Sequence, residues 1–250
     1  MVKKKTLLKR VLVAVLVIVV AACMGFVVWA GDYYHAGDAA VSMVTDSSAD
    51  AGNVAVSDGD SWIAVGDPGA DAALVFYPGA KVEPAAYVPL AARLAERDVF
   101  VVIVKMPLGF AFFDINAANS VMEAYPNVGR WWVGGHSLGG AMAASYAEKN
   151  AEKLEGVALL AAFGSQNLAA TGLDVEVVYG SADGVVNRDS LKKCTDTLPA
   201  SSICVIEGGN HAGFGDYGAQ PGDGEATIPA DEQQERAAEA ICAAIAAARR

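Results

Sequence analysis

The chain opens with a run that has no polar face. After Lys3, Lys4, Lys5, Lys9 and Arg10, the 20 residues VLVAVLVIVVAACMGFVVWA (Val11–Ala30) carry no charge. A helix of that length matches a hydrocarbon core about 30 Å thick. Gly31 to Asp60 lacks sustained periodicity and is rich in Gly, Ala, Ser and Asp, which reads as a tether or irregular lead-in. Within it, NVAVSDG fits a short edge strand. From Ser61 the pattern changes: apolar runs alternate with helical spacing, as in βαβ units that build a mostly parallel sheet. AALVFYPG (Ala72–Gly79) predicts a buried strand stopped by Pro-Gly, and PAAYVPLAARLAER (Pro84–Arg97) a helix with Pro84 near its first turn. VFVVIVKM (Val99–Met106) and RWWVGGHS (Arg130–Ser137) predict further strands, the second followed by a small-residue helix, LGGAMAASYAEKN. GVALLAAF (Gly156–Phe163), VEVVYGS (Val175–Ser181) and SICVIEGG (Ser202–Gly209) complete the strand candidates. An amphipathic helix from about Ala230 to Ala248 closes the chain. Strands this continuously apolar belong to a parallel sheet covered by helices on both faces.

The pattern divides the chain into a basic end (1–10), a membrane-spanning anchor (11–30), a lead-in (31–60) and one α/β domain (61–250). With 54% hydrophobic residues the domain can fill a sizeable core. The formal charge of −11 hides an asymmetry. Residues 1–10 hold five of the 18 basic side chains, so the remainder has 13 basic against 29 acidic residues, a net of −16. Such a body repels nucleic acid. The five cations resist translocation, and Gly31 to Gly79 contains no Lys or Arg to compete with them, so the domain is expected on the extracytoplasmic side. Two rival readings of the same segment are cleavage after Val28-Trp29-Ala30 and lipidation of Cys23 in Val20-Ala21-Ala22-Cys23. Both also export the domain.

The candidate chemistry starts at Gly135-His136-Ser137-Leu138-Gly139. Gly-x-Ser-x-Gly is a weak signal alone, but here a strand precedes it and a helix follows it, the setting of a nucleophile elbow. Glycines flank such a serine because the crowded turn has no room for a Cβ. A serine hydroxyl needs a base, usually histidine, held by a carboxylate. Of the three histidines, His35 lies just past the anchor and His136 adjoins the serine on the strained corner, where its side chain should point away. His211, in IEGGNHAGFGDYG, remains. Asp183, in YGSADGVV, follows the preceding strand and gives the chain order Ser, Asp, His. Asp216, five residues after His211, is a competitor that reads better as a loop cap. All three chosen residues fall at carboxyl ends of strands, where open α/β sheets place their sites.

FYPGAKVEPAAY, GGHSLGG, GSADGVV and GGNHAGFGDYG together resemble the α/β-hydrolase superfamily, in particular a small cap-less branch similar to dienelactone-hydrolase-like proteins. The resemblance implies an α/β-hydrolase fold with a mostly parallel central sheet, here behind a single N-terminal transmembrane helix. It also implies an oxyanion hole from the backbone N–H groups of Leu138 and Ala80. Dienelactone hydrolases carry a cysteine where this chain has Ser137, so carboxylic-ester chemistry is expected in place of lactone chemistry. No metal or organic cofactor is required, and no Cys/His cluster has metal-ligand spacing. Cys194 and Cys204 could pair outside the cytoplasm or stay as thiols, and Cys242 sits on the terminal helix's apolar stripe. The apolar PLGFAFFDI (Pro107–Ile115) fits either a pocket lining or core packing. The expected substrate is a small ester and the expected partner a membrane, through the N-terminal helix, with no nucleic acid. An acyltransferase with the same triad and a non-catalytic binding domain on the same scaffold are the alternatives.

Overall fold

The computed structural model describes residues 2–45, 54–164, 168–196, 198 and 203–248. Residues 1–33 and 34–250 form two compact units. The first consists of helix α1 (Val2–Gly31). Its segment Lys9–Gly31, 23 residues containing an 18-residue stretch of mean hydropathy 3.2, is long and apolar enough to cross a membrane.

The second unit is built on an eight-stranded sheet: β1 (Val56–Asp58), β2 (Trp62–Val65), β3 (Ala72–Tyr77), β4 (Val99–Val104), β5 (Trp131–His136), β6 (Gly156–Leu160), β7 (Asp174–Gly180) and β8 (Ile203–Ile206). The spatial order is β1-β2-β4-β3-β5-β6-β7-β8. β1 and β2 are antiparallel to their neighbours. Every later pair, from β3·β4 to β7·β8, is parallel. The mostly parallel sheet read from the apolar runs is therefore present, with an antiparallel edge at the amino end.

Successive side chains on a strand alternate between faces, and here both faces are dry. Leu74, Phe76, Val99, Val101, Ile103 and Trp132 pack on one side with Leu90 and Leu94 of α3 (Val88–Ala95) and Ile241 and Ile245 of α7 (Ala230–Ala247). Ala73, Val75, Tyr77, Phe100, Val102 and Val133 pack on the other. They meet α4 (Ala117–Ala124), α5 (Leu138–Lys149) and α6 (Arg188–Thr195) through Val121, Ala143, Tyr146 and Leu191. Burying a Leu or Phe this completely contributes about 2 kcal/mol each.

Two local results depart from the sequence reading. The helix expected over Pro84–Arg97 is split: Pro84–Tyr87 is a 3-10 turn and α3 starts at Val88, with Pro89 in its first turn. Proline has no N–H and its ring crowds the carbonyl four residues back, so an α-helix can begin at Pro89 but cannot run through it. Asp98, at φ 62°, then turns the chain into β4. The lead-in also contributes a helix, α2 (Asp38–Thr45), which the composition gave no reason to expect. Its Met43 and Val44 pack against the α3–α7 side of the core. Gln220 to Pro229, to which the sequence assigned no element, ties two site loops together, as described below.

One buried acid lies away from the site. Glu176 on β7 is 5% exposed, and burial raises its pKa from 4.5 to about 7. A carboxyl whose folded-state pKa is raised stabilises the fold only while protonated. Its contribution is complete below about pH 4.5 and is lost as pH rises through 7, a swing of roughly 3 kcal/mol at most. Glu176→Gln is expected to match wild-type stability near pH 5 and to exceed it by about 2 kcal/mol at pH 9. Urea unfolding at the two pH values checks this, and parallel curves for the two proteins would contradict it.

Candidate active site

Among the described residues, four of the five non-glycine residues with positive φ lie just past the carboxyl ends of adjacent strands: Lys81 after β3, Leu108 after β4, Ser137 after β5 and Ala161 after β6. Left-handed backbone at residues with a Cβ costs about 1–3 kcal/mol each and persists where the surrounding structure enforces it. The strain therefore marks one edge of the sheet.

Ser137 has φ 53° and ψ −123°, between the last residue of β5 and the first of α5. Its N–H donates to Leu160 O (2.9 Å) and its carbonyl accepts from Ala141 N (3.1 Å), so strand pairing ends and the helix begins on this one residue. The flanking glycines are required by close approach. A Cβ on Gly135 would lie 2.4 Å from Tyr77 O, and one on Gly139 would lie 2.1 Å from Tyr77 O and 2.3 Å from Pro78 O. The elbow thus sits directly against the end of β3. Leu138, the first residue of α5, has an N–H with no intrahelical acceptor.

The turn after β3 supplies the other sequence-predicted donor. Gly79 N–H donates to Tyr87 OH, Lys81 N–H to Gly109 O and Val82 N–H to Gly79 O. Ala80 is left as the residue of this turn whose N–H has no acceptor among the described residues. The bond to Gly109 joins the turn to the apolar segment after β4. Phe110 and Ala111 of that segment are buried, whereas Leu108, Phe112 and Phe113 are close to half exposed.

Asp183 and His211 come together across two loops. His211 Nδ1 lies 2.9 Å from Asp183 Oδ2, and neither side chain is more than 1% exposed. Asp183 Oδ1 accepts the N–H groups of Val185 and Val186, both at 2.9 Å. Burial alone would raise the pKa of Asp183. The hydrogen bond and charge of His211, with the two backbone donors, outweigh it and hold the carboxyl below its ordinary value. An ionised Asp183 fixes the proton of His211 on Nδ1 and leaves a lone pair on Nε2, which is buried and has no hydrogen-bond partner. Arg188 steadies the acid loop from outside by donating to Ser181 O (2.9 Å) and Asp183 O (2.8 Å).

His136, set aside in the sequence as the serine's neighbour, forms a shelf under this pair. Its ring is 1% exposed and its centroid lies 4.5 Å from that of His211. Its Nδ1 is 2.8 Å from Tyr87 OH, which also accepts the Gly79 N–H. Burial, and then the neighbouring His211, lower its pKa well below the usual histidine value, so the ring is neutral. Burial keeps Tyr87 protonated as a donor. A Tyr87→His136 bond therefore ties the turn after β3 to the strand carrying the serine. Asp216 lies elsewhere: its carboxylate accepts Ala40 N–H of α2 (3.0 Å) and its carbonyl accepts Gly37 N–H (2.7 Å). It caps α2, as a loop residue and not as a partner of His211.

A family model of the alpha/beta hydrolase family matches residues 73–235 of the chain. Among solved structures, a membrane phospholipase A described as a novel bacterial virulence factor aligns with TM-score 0.61 and 12% identity over 96% of this chain and 99% of its own. TT1662 from Thermus thermophilus aligns at TM-score 0.57 and 14% identity over 78% and 98%. Est1E from Butyrivibrio proteoclasticus aligns at 0.54 and 14% over 77% and 99%. At these identities the likeness is one of fold. Comparison with curated protein sequences finds no match. The family match covers more than half of the chain, including the elbow, the acid loop and the base loop, and the chain therefore belongs to the alpha/beta hydrolase family.

Proposed function

We propose that the protein is a membrane-tethered serine hydrolase that cleaves small carboxylic esters through an acyl-enzyme. The observation that carries the proposal is the buried Asp183–His211 hydrogen bond, with His211 Nε2 unpartnered and its ring against the residue preceding Ser137. In this reading Ser137 Oγ attacks the ester carbonyl and gives its proton to His211 Nε2. Asp183 keeps the imidazole in the required tautomer and stabilises its charged form. The tetrahedral oxyanion is met by the N–H groups of Leu138 and Ala80, each worth about 3 kcal/mol of barrier in comparable sites. The alkoxide leaves with the proton from His211. Water, deprotonated by the same nitrogen, then attacks the acyl-enzyme and restores Ser137.

The short connection from β6 to β7, residues 161–173, favours an open site over one under a lid domain. Leu108, Phe112 and Phe113, beside the turn bearing Ala80, offer apolar surface suited to a short or medium acyl chain. The apolar Lys9–Gly31 segment and the five cations at residues 3–10 support an anchor with the domain on the extracytoplasmic side.

A panel of p-nitrophenyl esters of increasing acyl length, assayed with the full chain in detergent, tests the proposal. Turnover should be greatest for short to medium chains and should need no added alcohol acceptor. Turnover that requires an acceptor would favour acyl transfer, and inertness toward the whole panel would overturn the assignment.

A further inference from the structure

Between His211 and α7 the chain makes an irregular excursion, and its Gln220-Pro221-Gly222-Asp223-Gly224 segment returns to the site. Asp223 there accepts four backbone N–H groups. Its Oδ1 takes Gly184 N–H (3.1 Å), His211 N–H (3.1 Å) and Gly224 N–H (2.8 Å), and its Oδ2 takes Ala212 N–H (2.8 Å). Gly184 follows Asp183 directly. One carboxylate thus bonds to the backbone of the acid loop and of the base loop, at or beside the two residues whose side chains meet.

The fit around it is backbone against backbone. A Cβ on Gly224 would stand 1.8 Å from Ala182 O, and one on Gly184 would stand 2.7 Å from Gly222 O. Asn210 Nδ2 donates to Gly224 O (2.9 Å), and Asn210 Oδ1 accepts Gly213 N–H (2.9 Å). Gln233 of α7, fully buried, closes the other side by accepting Asn210 N–H (2.9 Å) and donating to Asn210 O (2.7 Å). His211 is therefore held by main-chain contacts on both flanks, and those toward the acid loop converge on Asp223.

We propose that Asp223 is a positioning residue: its carboxylate clamps the Gly184 and His211–Ala212 backbones together and so sets the geometry of the Asp183–His211 pair. This rests on the reading of Ser137, His211 and Asp183 given above. An ionised carboxylate has two acceptor oxygens for these donors. An amide has one, and turns its NH2 toward donors that then have no acceptor. Asp223→Asn thus keeps size while removing at least one of the four bonds, that of Ala212 N–H when the amide oxygen takes the Oδ1 position.

The test compares full-chain wild type with Asp223→Asn, Asp183→Asn and Asp216→Asn. Asp216 serves as control because its carboxylate also accepts a backbone N–H but caps α2. Asp223→Asn should lower kcat about 10- to 100-fold with KM within about threefold, the signature of a displaced catalytic group. The low-field proton resonance of His211 Nδ1–H bonded to Asp183 should shift or broaden with it. Asp216→Asn should leave kcat and the resonance unchanged even if it lowers Tm as much. Wild-type kcat and an unmoved resonance in Asp223→Asn, with activity lost in Asp183→Asn, would overturn the clamp alone. Activity retained in Asp183→Asn would overturn the underlying triad. Should Asp223→Asn fail to fold, amide exchange in the wild type decides: the Gly184, His211 and Ala212 amides should exchange slowly and as a group, and fast exchange at His211 and Ala212 would overturn the proposal.

Discussion

Ser137→Ala is expected to abolish both labelling by a fluorophosphonate probe and ester turnover while leaving the fold in place. The substitution removes one hydroxyl from a half-buried residue, and the backbone bonds that define the elbow, Ser137 N–H to Leu160 O and Ala141 N–H to Ser137 O, do not use the side chain. The left-handed φ of 53° is strained for serine and alanine alike, so little stability is at stake. Catalytically everything is at stake, because no other nucleophile occupies the elbow. In a comparable triad enzyme, loss of the serine costs about 10⁶ in kcat. Near wild-type turnover in a folded Ser137→Ala protein would remove this residue from the mechanism.

The second large effect separates two aspartates that chain order alone leaves in competition. Asp183→Asn should cost on the order of 10⁴ in kcat, the loss seen when the equivalent aspartate of a serine protease becomes asparagine. The physical reason is tautomeric. Asp183 Oδ2 accepts the Nδ1 proton of His211 at 2.9 Å, and its ionised state is secured by Val185 and Val186 N–H. An asparagine can turn its NH2 toward Nδ1, which moves the ring proton to Nε2 and removes the lone pair that must take the serine proton. Asp216→Asn should leave kcat near wild type and cost only about 1 kcal/mol of stability through a weakened cap on α2. Steady-state kinetics with urea unfolding of both variants checks the pair. Equal losses of kcat, or a larger loss at Asp216, would reverse the assignment.

What could be read in advance divides along the range of the interactions. The parallel strands were legible because both of their faces are buried, so AALVFY, VFVVIV and GVALL are unbroken apolar runs, each next to a turn or helix signal. The elbow was legible for a related reason: a serine between glycines after a strand has few other uses, and the close approach of Gly135 and Gly139 to β3 explains them. Helix α2 was not legible. Eight residues are too few to show periodicity, and its amino end is capped by Asp216, 176 residues on from Ala40. The split before α3 lay in plain view in Pro89, but the helical spacing of the apolar residues on either side masked it.

At the site, residue types and chain order pointed to Ser137, Asp183 and His211, and the structure brings the last two into contact. The supporting groups left weaker traces. His136 was recognisable as a histidine but not as a buried shelf, since its meaning depends on Tyr87 from another element. Asp223 sits in PGDGE, a sequence any surface turn could carry, and only the folded chain shows its carboxylate between two loops. Ala80 was named through the family resemblance alone, and the folded chain adds that its N–H is the one in its turn with no acceptor among the described residues.

The central claim is that a substrate acyl group is carried on Ser137. It is tested most directly by acid-quenching the full-length protein during turnover of a p-nitrophenyl ester, digesting it, and locating the added acyl mass by mass spectrometry. The account predicts one acyl group, on the peptide containing Ser137, accumulating in wild type and absent from Ser137→Ala. An acyl group on a different residue, or undiminished in Ser137→Ala, would contradict it.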